Sequence, residues 1–580
     1  MAKTVTDKTT DLYKLRHSCA HVLAQAVKRK YPTAKLGFGP PVEDGFYYDI
    51  HLPEALTDAD LEAIEKEMVE IVKANYSFEK KDVTPDEARK IFSAKNETFK
   101  VETVDQLAGQ EQLSIVVDGD FTDLCKYPHV HKTGDIKAFK LTSIAGAYWK
   151  GIETNPVMQR IYGTAFFSKK ELDDFLRMRE EAKKRDHRKL GKELALFMFS
   201  PFAAASPIFK PKGTVIYNLL RDYIRGLYRR EGYQEVITPQ IFDVELWKKS
   251  GHYEKYKDNM YFTRVDEHEC AVKPMNCPSH TLIYSSELHS YRDLPVRIAD
   301  FGRLHRFERS GVTSGLTRVR SFAQDDAHIF CTEDQVGSEI SGVCRMIREV
   351  YGAFGFPEPK VFLSTRPERK VGSEATWDKA EAALEAAVKS NSLAYTINAG
   401  DGAFYGPKID FVVKDTLGRD WQLGTIQLDF NMPERFELEY KNSDGGVSRP
   451  VMIHRAVLGS LERFIGILIE HYGGAFPFWL SPMQVSIIPI AQAHEAYGEK
   501  ILKELLDNGF RAEIKAPAET LGSRIRRAQT EKIPYMIILG DKEIQAENIS
   551  VRSRSKGDLG QTSLLEFIGK VNEAVKARTA

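Results

Sequence analysis

The segment "FGRLHRFERSGVTSGLTRVRSFAQDDAHIF", residues 301–330, constrains this chain most tightly. Two strand-like stretches flank a loop rich in Gly, Ser and Thr, and together they carry Arg303, Arg306, Arg309, Arg318 and Arg320. A β-hairpin holding guanidinium forks in this way is suited to gripping polyphosphate, because each planar fork matches two phosphate oxygens. A merely solvated basic hairpin has no need of the aromatic rings that alternate with the arginines (Arg306, Phe307, Phe322), which suit stacking on a base. Neither a glycine-rich dinucleotide fingerprint nor a P-loop is present. Residues 197–480, where strand-like and helical stretches alternate irregularly, are therefore not expected to form a doubly wound nucleotide fold.

At 580 residues the chain exceeds what one core serves, and roughly three or four domains are expected. Lys+Arg 82 balance Asp+Glu 82, so a nucleic-acid partner is met by local basic patches and not by a global field. Cys19, Cys125, Cys270, Cys277, Cys331 and Cys344 form no framework, which suits a reducing compartment. The opening "MAKTVTDKTTDLYKLRHS" lacks the layout of a secretion signal, and runs such as "PYMIILG" fall far short of a membrane span. The expected location is cytoplasmic, without a membrane partner.

Residues 12–29 have helical apolar spacing, "PPVEDGFYYDIHL" reads as a turn into a strand, and "TDADLEAIEKEMVEIVKAN" as a helix capped by Thr57 with Asp60 three residues on. Residues 168–194 mix both charge signs at helical offsets and read as an exposed connecting helix. Its basic end (Lys183, Lys184, Arg185, His187, Arg188, Lys189) either touches a phosphate backbone or is a solvated face. "VIYNLLRDYIRGLYRREGYQEVITPQ" is a long amphipathic helix leading to a short strand that meets Pro239. Gly459 and Arg463 sit in an apolar strand-to-helix segment, where an arginine needs a partner such as phosphate. After Pro482, strands and helices alternate regularly, as in a small α/β domain with parallel-sheet character.

The first helix carries His17 and His21, one turn apart on one face. Far downstream, Cys125 and His129 repeat that spacing with a thiol in place of the first imidazole. By ligand type alone the four form a credible zinc set, and separate packing roles explain them equally well.

The stretch ending at Pro239, the Arg306 hairpin and the Gly459–Arg463 helix resemble the three motifs of class II aminoacyl-tRNA synthetases. "KPMNCPSH", "RVRSFAQDDAHIF", "AFYGPKIDF", "WQLGTIQLDFNMPERF" and "VMIHRAVLGSLERFIGIL" resemble the threonyl-tRNA synthetase family in particular, from about residue 12 to near the carboxyl end. The resemblance implies an α+β multidomain chain with an α+β editing domain (residues 1–167), a linker helix (168–190), an antiparallel-sheet catalytic core (191–480) and an α/β anticodon-binding domain (481–580). It implies ATP-dependent ligation of L-threonine to tRNA(Thr) through threonyl-adenylate, hydrolytic editing of seryl-tRNA(Thr), and a homodimer joined through the segment before Pro239.

Carried over by motif position, Arg306 holds the α-phosphate of ATP and Arg463 the γ-phosphate. Arg318 assists, Phe322 stacks on adenine, Glu308 fixes its edge, and Mg²⁺ accompanies the phosphates. Lys408, His252 and Gln422 join the catalytic set, the last two for the transfer step. One Zn²⁺ per subunit is implied on Cys277, His328 and His454, three ligands that leave its coordination open to the amine and hydroxyl of threonine. Asp326 accepts from that hydroxyl, with Gln324, Tyr405 and Gln427 completing the pocket. Valine lacks the hydroxyl, and a site built to bond one rejects such an analogue by roughly four to five orders of magnitude. Serine lacks only a methyl group, worth about 1–3 kcal/mol, so a second, hydrolytic site is required.

The resemblance gives that role to His17, His21, Cys125 and His129, with Lys100 and Asp123, an imidazole positioning the water and no metal required. Arg524, Arg526, Glu543 and Arg552 fall at anticodon contacts, with Arg527, Lys542 and Arg554 on the same face. Two departures stand out: the chain resembles forms without an extra small amino-terminal domain, and Ala518 in "KAPAETLG" replaces a common amide side chain. A catalytically silent RNA-binding relative would have eroded the set Arg306, Arg463, Cys277, His328 and His454, all present here. Alanyl-tRNA synthetase shares such an editing domain, but the zinc trio and the α/β carboxyl domain argue against it.

Overall fold

The computed structural model describes residues 10–126 and 128–578, and the chain divides into two units, Met1–Glu180 and Glu181–Ala580.

In the first unit, helix Asp11–Lys30 begins at Thr10, whose hydroxyl accepts the Tyr13 N–H at 3.3 Å, and ends on Lys28, Arg29 and Lys30, cations that suit a carboxyl terminus. It is buried on all sides between Leu15 and Val27, more than a single apolar face requires. Helix Asp58–Ala74 packs on it, started by Asp60, whose Oδ2 accepts the Thr57 N–H at 2.8 Å. A sheet ordered Lys35–Leu36, Gly45–His51, Val157–Phe166, Ala138–Tyr148 packs against the first helix. A second antiparallel sheet, Glu79–Val83, Leu113–Asp118 and Phe121–Leu124, brings Asp123 and Cys125 to the same core.

The second unit is built on eight strands in the order Gln234–Glu235, Val296–Asp300, Asp326–Cys331, Val451–Ala456, Asp420–Asp429, Lys408–Lys414, Lys360–Ser364, Tyr395–Asn398. The two edge pairs are parallel and every inner pair is antiparallel. Alternation along each strand sorts the faces. Ile329, Ile453, Ile426 and Leu428 enter the main core with helices Pro211–Arg230, Val336–Ala353 and Leu461–His471. The alternate positions leave a polar row on the other face.

One expectation needs correction. The connecting segment is two helices, Lys169–Arg185 and His187–Glu193, broken where Asp186 accepts the Arg188 N–H at 2.8 Å. Its basic end is not a uniform solvated face, because His187 and Leu190 are buried and Arg185 donates to the His471 carbonyl. In the carboxyl sheet, ordered Ala512–Ile514, Val485–Pro489, Tyr535–Leu539, Ile549–Ser553, Gly557–Thr562, the first three strands have the expected parallel pairing, and two antiparallel strands extend it. Among the described residues no helix is long and apolar enough to cross a membrane.

Candidate functional site

Strand register creates the central site. His328 lies opposite His454, His454 opposite Gln427, and Gln427 opposite Lys408, so one row of polar side chains crosses four strands. Asp326, two residues before His328, shares its face. Asp326, His328, His454 and Gln427 line a cavity of about 350 Å³ together with Arg306, Gln324, Tyr405 and Cys277, the first residue of helix Cys277–Ser285.

The ligand atoms of Cys277, His328 and His454 lie within 4.8 Å of one another. His328 Nε2 and His454 Nδ1 face each other at 2.9 Å. The outer nitrogens are held in turn: His454 Nε2 lies 3.0 Å from Asp429 Oδ2, and His328 Nδ1 lies 2.7 Å from His280 Nδ1. Such outer bonds orient metal-binding imidazoles. Burial, reinforced by His454 and Arg455, holds His328 well below its ordinary pKa, in the neutral ligand form. Burial beside Asp326 and Asp429 pushes the Cys277 thiol well up, so a cation is needed to make it a thiolate. Two imidazoles and one thiol with a cavity on their open side fit zinc.

Beside this cluster, Tyr405 Oη donates to Gln427 Oε1 at 2.5 Å, and Asn276 Nδ2 donates to Asp326 Oδ2 at 3.0 Å. Asn276, His280 and Asp429 were not anticipated. Asn276 precedes Cys277, His280 follows it by three residues, and Asp429 is two beyond Gln427 on one strand; those spacings are the signals that mark them.

Arg306 is aimed by a bond from Nε to the Pro274 carbonyl (3.3 Å), with its guanidinium 5.1 Å from the Phe322 ring centre. Glu308 and Arg318 pair at 3.0 Å. Arg463 stands in the first turn of helix Leu461–His471, where its N–H is capped by Ser460 Oγ at 3.1 Å. Its Nε is buried without a hydrogen-bond partner among the described residues, and burial, with Arg318 adding, holds its pKa below the usual value. A buried cation in want of an anion is a phosphate site in its chemistry.

Arg318, Arg463, Glu308 and Phe322 stand outside the lining of the cavity, and so do Gln422, Lys408 and His252. Gln422 Nε2 and Lys408 Nζ both reach Asp410, at 2.6 and 2.8 Å. His252 is wholly buried, its Nε2 3.1 Å from Met275 Sδ and 3.8 Å from Cys277 Sγ. Burial and His454 lower its pKa to about 3, so it is a neutral group behind the cluster.

In the first unit, His17, His21, Cys125 and His129 meet with ligand atoms within 4.8 Å, all buried. Cys125 Sγ lies 3.3 Å from His17 Nε2 and 3.1 Å from His129 Nε2. His17 Nδ1 donates to the Pro128 carbonyl at 3.1 Å, which turns Nε2 toward Cys125. Ser18 Oγ spends its proton on the Lys14 carbonyl, so His129 Nδ1 donates to it at 3.0 Å and Nε2 is the base. Burial, with the neighbouring imidazoles, holds His129 and His21 well below their ordinary values. Asp123 pairs with Lys100 through Oδ1, and its Oδ2 accepts from Tyr48 Oη at 2.6 Å and lies 3.7 Å from His21 Nε2.

The anticipated RNA face divides. Arg526 and Lys542 are exposed and Arg552 half-buried. Arg524 is not on the open face: it is buried, and four of its five N–H groups donate to the carbonyls of Glu519, Pro489, Lys515 and Ile490 at 2.5–3.2 Å. Arg554 likewise grips the carbonyls of Ala475 and Phe476. Glu543 is buried on the Gly540 N–H, Ser550 Oγ and Gln561 Nε2.

Residues 260–472 match the tRNA synthetase class II core domain (G, H, P, S and T), residues 484–574 the anticodon binding domain, and residues 113–162 the threonyl and alanyl tRNA synthetase second additional domain. The threonine–tRNA ligase of Acetivibrio thermocellus is 53% identical over 561 residues, covering 97% of this chain and 88% of that protein. That of Thermotoga petrophila is 52% identical over 567 residues, with the same coverage of 97% and 88%. The crystal structure titled as the RNA binding domain of threonyl-tRNA synthetase from Cryptosporidium parvum Iowa II superposes with a TM-score of 0.66 at 43% identity, covering 67% of this chain and 98% of that one. With a class II core, an additional domain shared by threonyl and alanyl enzymes, and half of all residues identical along nearly its whole length, the chain belongs to the threonyl-tRNA synthetase (threonine–tRNA ligase) family.

Proposed function

We propose that the chain ligates L-threonine to tRNA(Thr) with ATP, through threonyl-adenylate. The observation that carries this reading is the single cavity in which Cys277, His328 and His454 meet Asp326 and Arg306. In the first step Arg306 takes the charge of the α-phosphate and Arg463, which has no ion partner among the described residues, that of the γ-phosphate, with Arg318 assisting. Phe322 offers its ring to adenine and Glu308 its carboxylate. Fixed cations aimed at developing charge are the main device for such a step, with Mg²⁺ as companion ion. Cys277, His328 and His454 would hold one Zn²⁺, which when bound supplies an open Lewis-acidic position for an amine beside a hydroxyl. Asp326, oriented by Asn276, accepts from the substrate hydroxyl, and Gln324, Tyr405 and Gln427 shape the remaining wall. His252 and Gln422 act in the transfer step from behind that wall, and Lys408 belongs to the same catalytic set.

The pocket of His17, His21, Cys125 and His129 hydrolyses seryl-tRNA(Thr): a base-form imidazole takes the proton of the attacking water, and Lys100 with Asp123 fixes the charge beside it. Residues 1–167 are the editing domain, 168–190 the linker, 191–480 the catalytic domain and 481–580 the anticodon domain, where Arg526 and Arg552 touch bases and Glu543 holds the strand beside them. The working form is a cytoplasmic homodimer; Ile237, 96% exposed just before Pro239, is apolar surface for a second subunit to cover.

The test is threonine-dependent exchange of pyrophosphate into ATP, followed by aminoacylation with threonine, serine and valine on a sample whose zinc has been counted. Threonine charging with one zinc per chain supports the reading. Absence of exchange favours a catalytically silent RNA-binding protein, and a second zinc moves the editing quartet to a metal role.

A further inference from the structure

The connecting segment, which the proposed chemistry leaves unused, ends in a buried histidine placed between two parts of the ATP site. His187 Nδ1 lies 2.6 Å from Glu470 Oε1, and its backbone N–H donates to the same oxygen at 3.0 Å. Glu470 closes helix Leu461–His471, the helix that carries Arg463, and its other oxygen pairs with Arg419. Burial opposes ionisation of Glu470, yet the bonds from His187, with Arg419, hold its carboxyl below the usual range. On the other side of the ring, Nε2 accepts the backbone N–H of Leu316 at 2.9 Å. An amide is only a donor, so Nε2 carries the lone pair and Nδ1 the proton; both partners specify one neutral tautomer.

Leu316 is fully buried in the middle of the hairpin loop. It lies inside a turn closed by Ser314 N–H to the Arg318 carbonyl (3.1 Å) and Arg318 N–H to the Ser314 carbonyl (3.3 Å). The loop comes so close to the imidazole that a Cβ on Gly315, whose φ is +48°, would stand 2.1 Å from His187 Nε2. Arg318, by contrast, is exposed and has only Glu308 as ion partner among the described residues. Its position therefore depends on how that turn is seated.

We infer that His187 is a positioning residue for ATP: by accepting the Leu316 N–H it seats the turn that presents Arg318, and by holding Glu470 it ties that turn to the helix bearing Arg463. This rests on the reading that Arg318 meets the phosphates of ATP. It assigns a function to the connecting segment, which delivers a specific acceptor to the loop in addition to joining two domains.

The test measures KM for ATP and for threonine, and kcat, in pyrophosphate exchange by the full chain. Burying an amide without its acceptor predicts that His187→Ala raises the ATP KM by about tenfold, with the threonine KM unchanged. His187→Gln, whose side-chain oxygen can accept the Leu316 N–H, restores most of it. Gly315→Ala breaks the same contact from the exposed loop side and gives a similar rise without removing the buried ring. In an Arg318→Ala background, His187→Ala adds nothing further. The inference is overturned if His187→Ala and Gly315→Ala leave the ATP KM at its wild-type value while Arg318→Ala raises it. It is overturned also if the KM values for ATP and threonine rise together with a lowered melting temperature, or if the effect persists undiminished without Arg318. An Arg318→Ala variant with an unaltered ATP KM overturns the reading of Arg318 itself, and the inference with it.

Discussion

Asp429 Oδ2 lies 3.0 Å from His454 Nε2, on the far side of the ring from His328. Its other oxygen accepts the N–H groups of Asn431 and Met432 at 2.7 and 2.9 Å. Asp429→Asn keeps an oxygen for those two amides and removes the charge behind the imidazole. Zinc affinity is expected to fall about 10- to 100-fold, read by competition with a chelator, while the circular dichroism spectrum is unchanged. Wild-type zinc retention in this variant would show that the carboxylate does not support the cluster.

On the proposed reading, the quartet of the first unit separates editing from synthesis. His17→Ala and His21→Ala are each expected to leave threonine charging intact and to slow hydrolysis of seryl-tRNA(Thr) by about 10²–10⁴-fold. Serine-charged tRNA then accumulates in a charging reaction containing serine. Equal loss of threonine charging would contradict the division of labour.

Arg524 and Arg526 lie two residues apart on one helix and should behave oppositely. Arg524→Ala strips donors from four buried carbonyl contacts, an expected loss of about 3 kcal/mol. The thermal transition of the carboxyl domain reports it. Arg526→Ala changes stability by less than about 0.5 kcal/mol and raises KM for tRNA. A fully stable Arg524→Ala protein with a selective tRNA defect would restore Arg524 to the RNA face.

Asp118 carries a pH dependence. Both its carboxylate oxygens are buried without a partner among the described residues, and burial, with Asp123 and Asp120 nearby, pushes its pKa up to about 8. The folded chain thus keeps a proton that the unfolded chain releases near the ordinary carboxylate value. Stability contributed by this group therefore falls as pH rises from about 4 to about 8 and is level above that. Opening free energies of strand Leu113–Asp118, from amide exchange at about pH 5 and pH 7.5, should decline more in the wild type than in Asp118→Asn. Parallel behaviour of the two proteins would remove the assignment.

Local physics was legible where it acts over a few residues. The helix around His17 and His21 follows from apolar spacing, and the start at Thr57 from a cap that Asp60 completes. The connecting segment misled because its alternating charges describe a solvated helix, whereas its break is set by one aspartate cap and its burial by partners more than a hundred residues away. Arg524 shows the same limit: a guanidinium on a basic helix ends on backbone carbonyls or on RNA according to the loop above it, and the helix sequence is alike in both cases. The trio Cys277, His328 and His454 is joined only by strand pairing and a helix start, so family resemblance, and no spacing rule, pointed to it.

The row linking His328, His454 and Gln427 exists only at one alignment of three antiparallel strands. Sliding the central strand by a single residue would turn His454 toward the apolar interior and take its imidazole out of the row. On the proposed reading, choice of the amino acid is encoded in the same pairing that makes the domain a solid. On that reading, a molecule that assembles this sheet wrongly loses the site together with the fold.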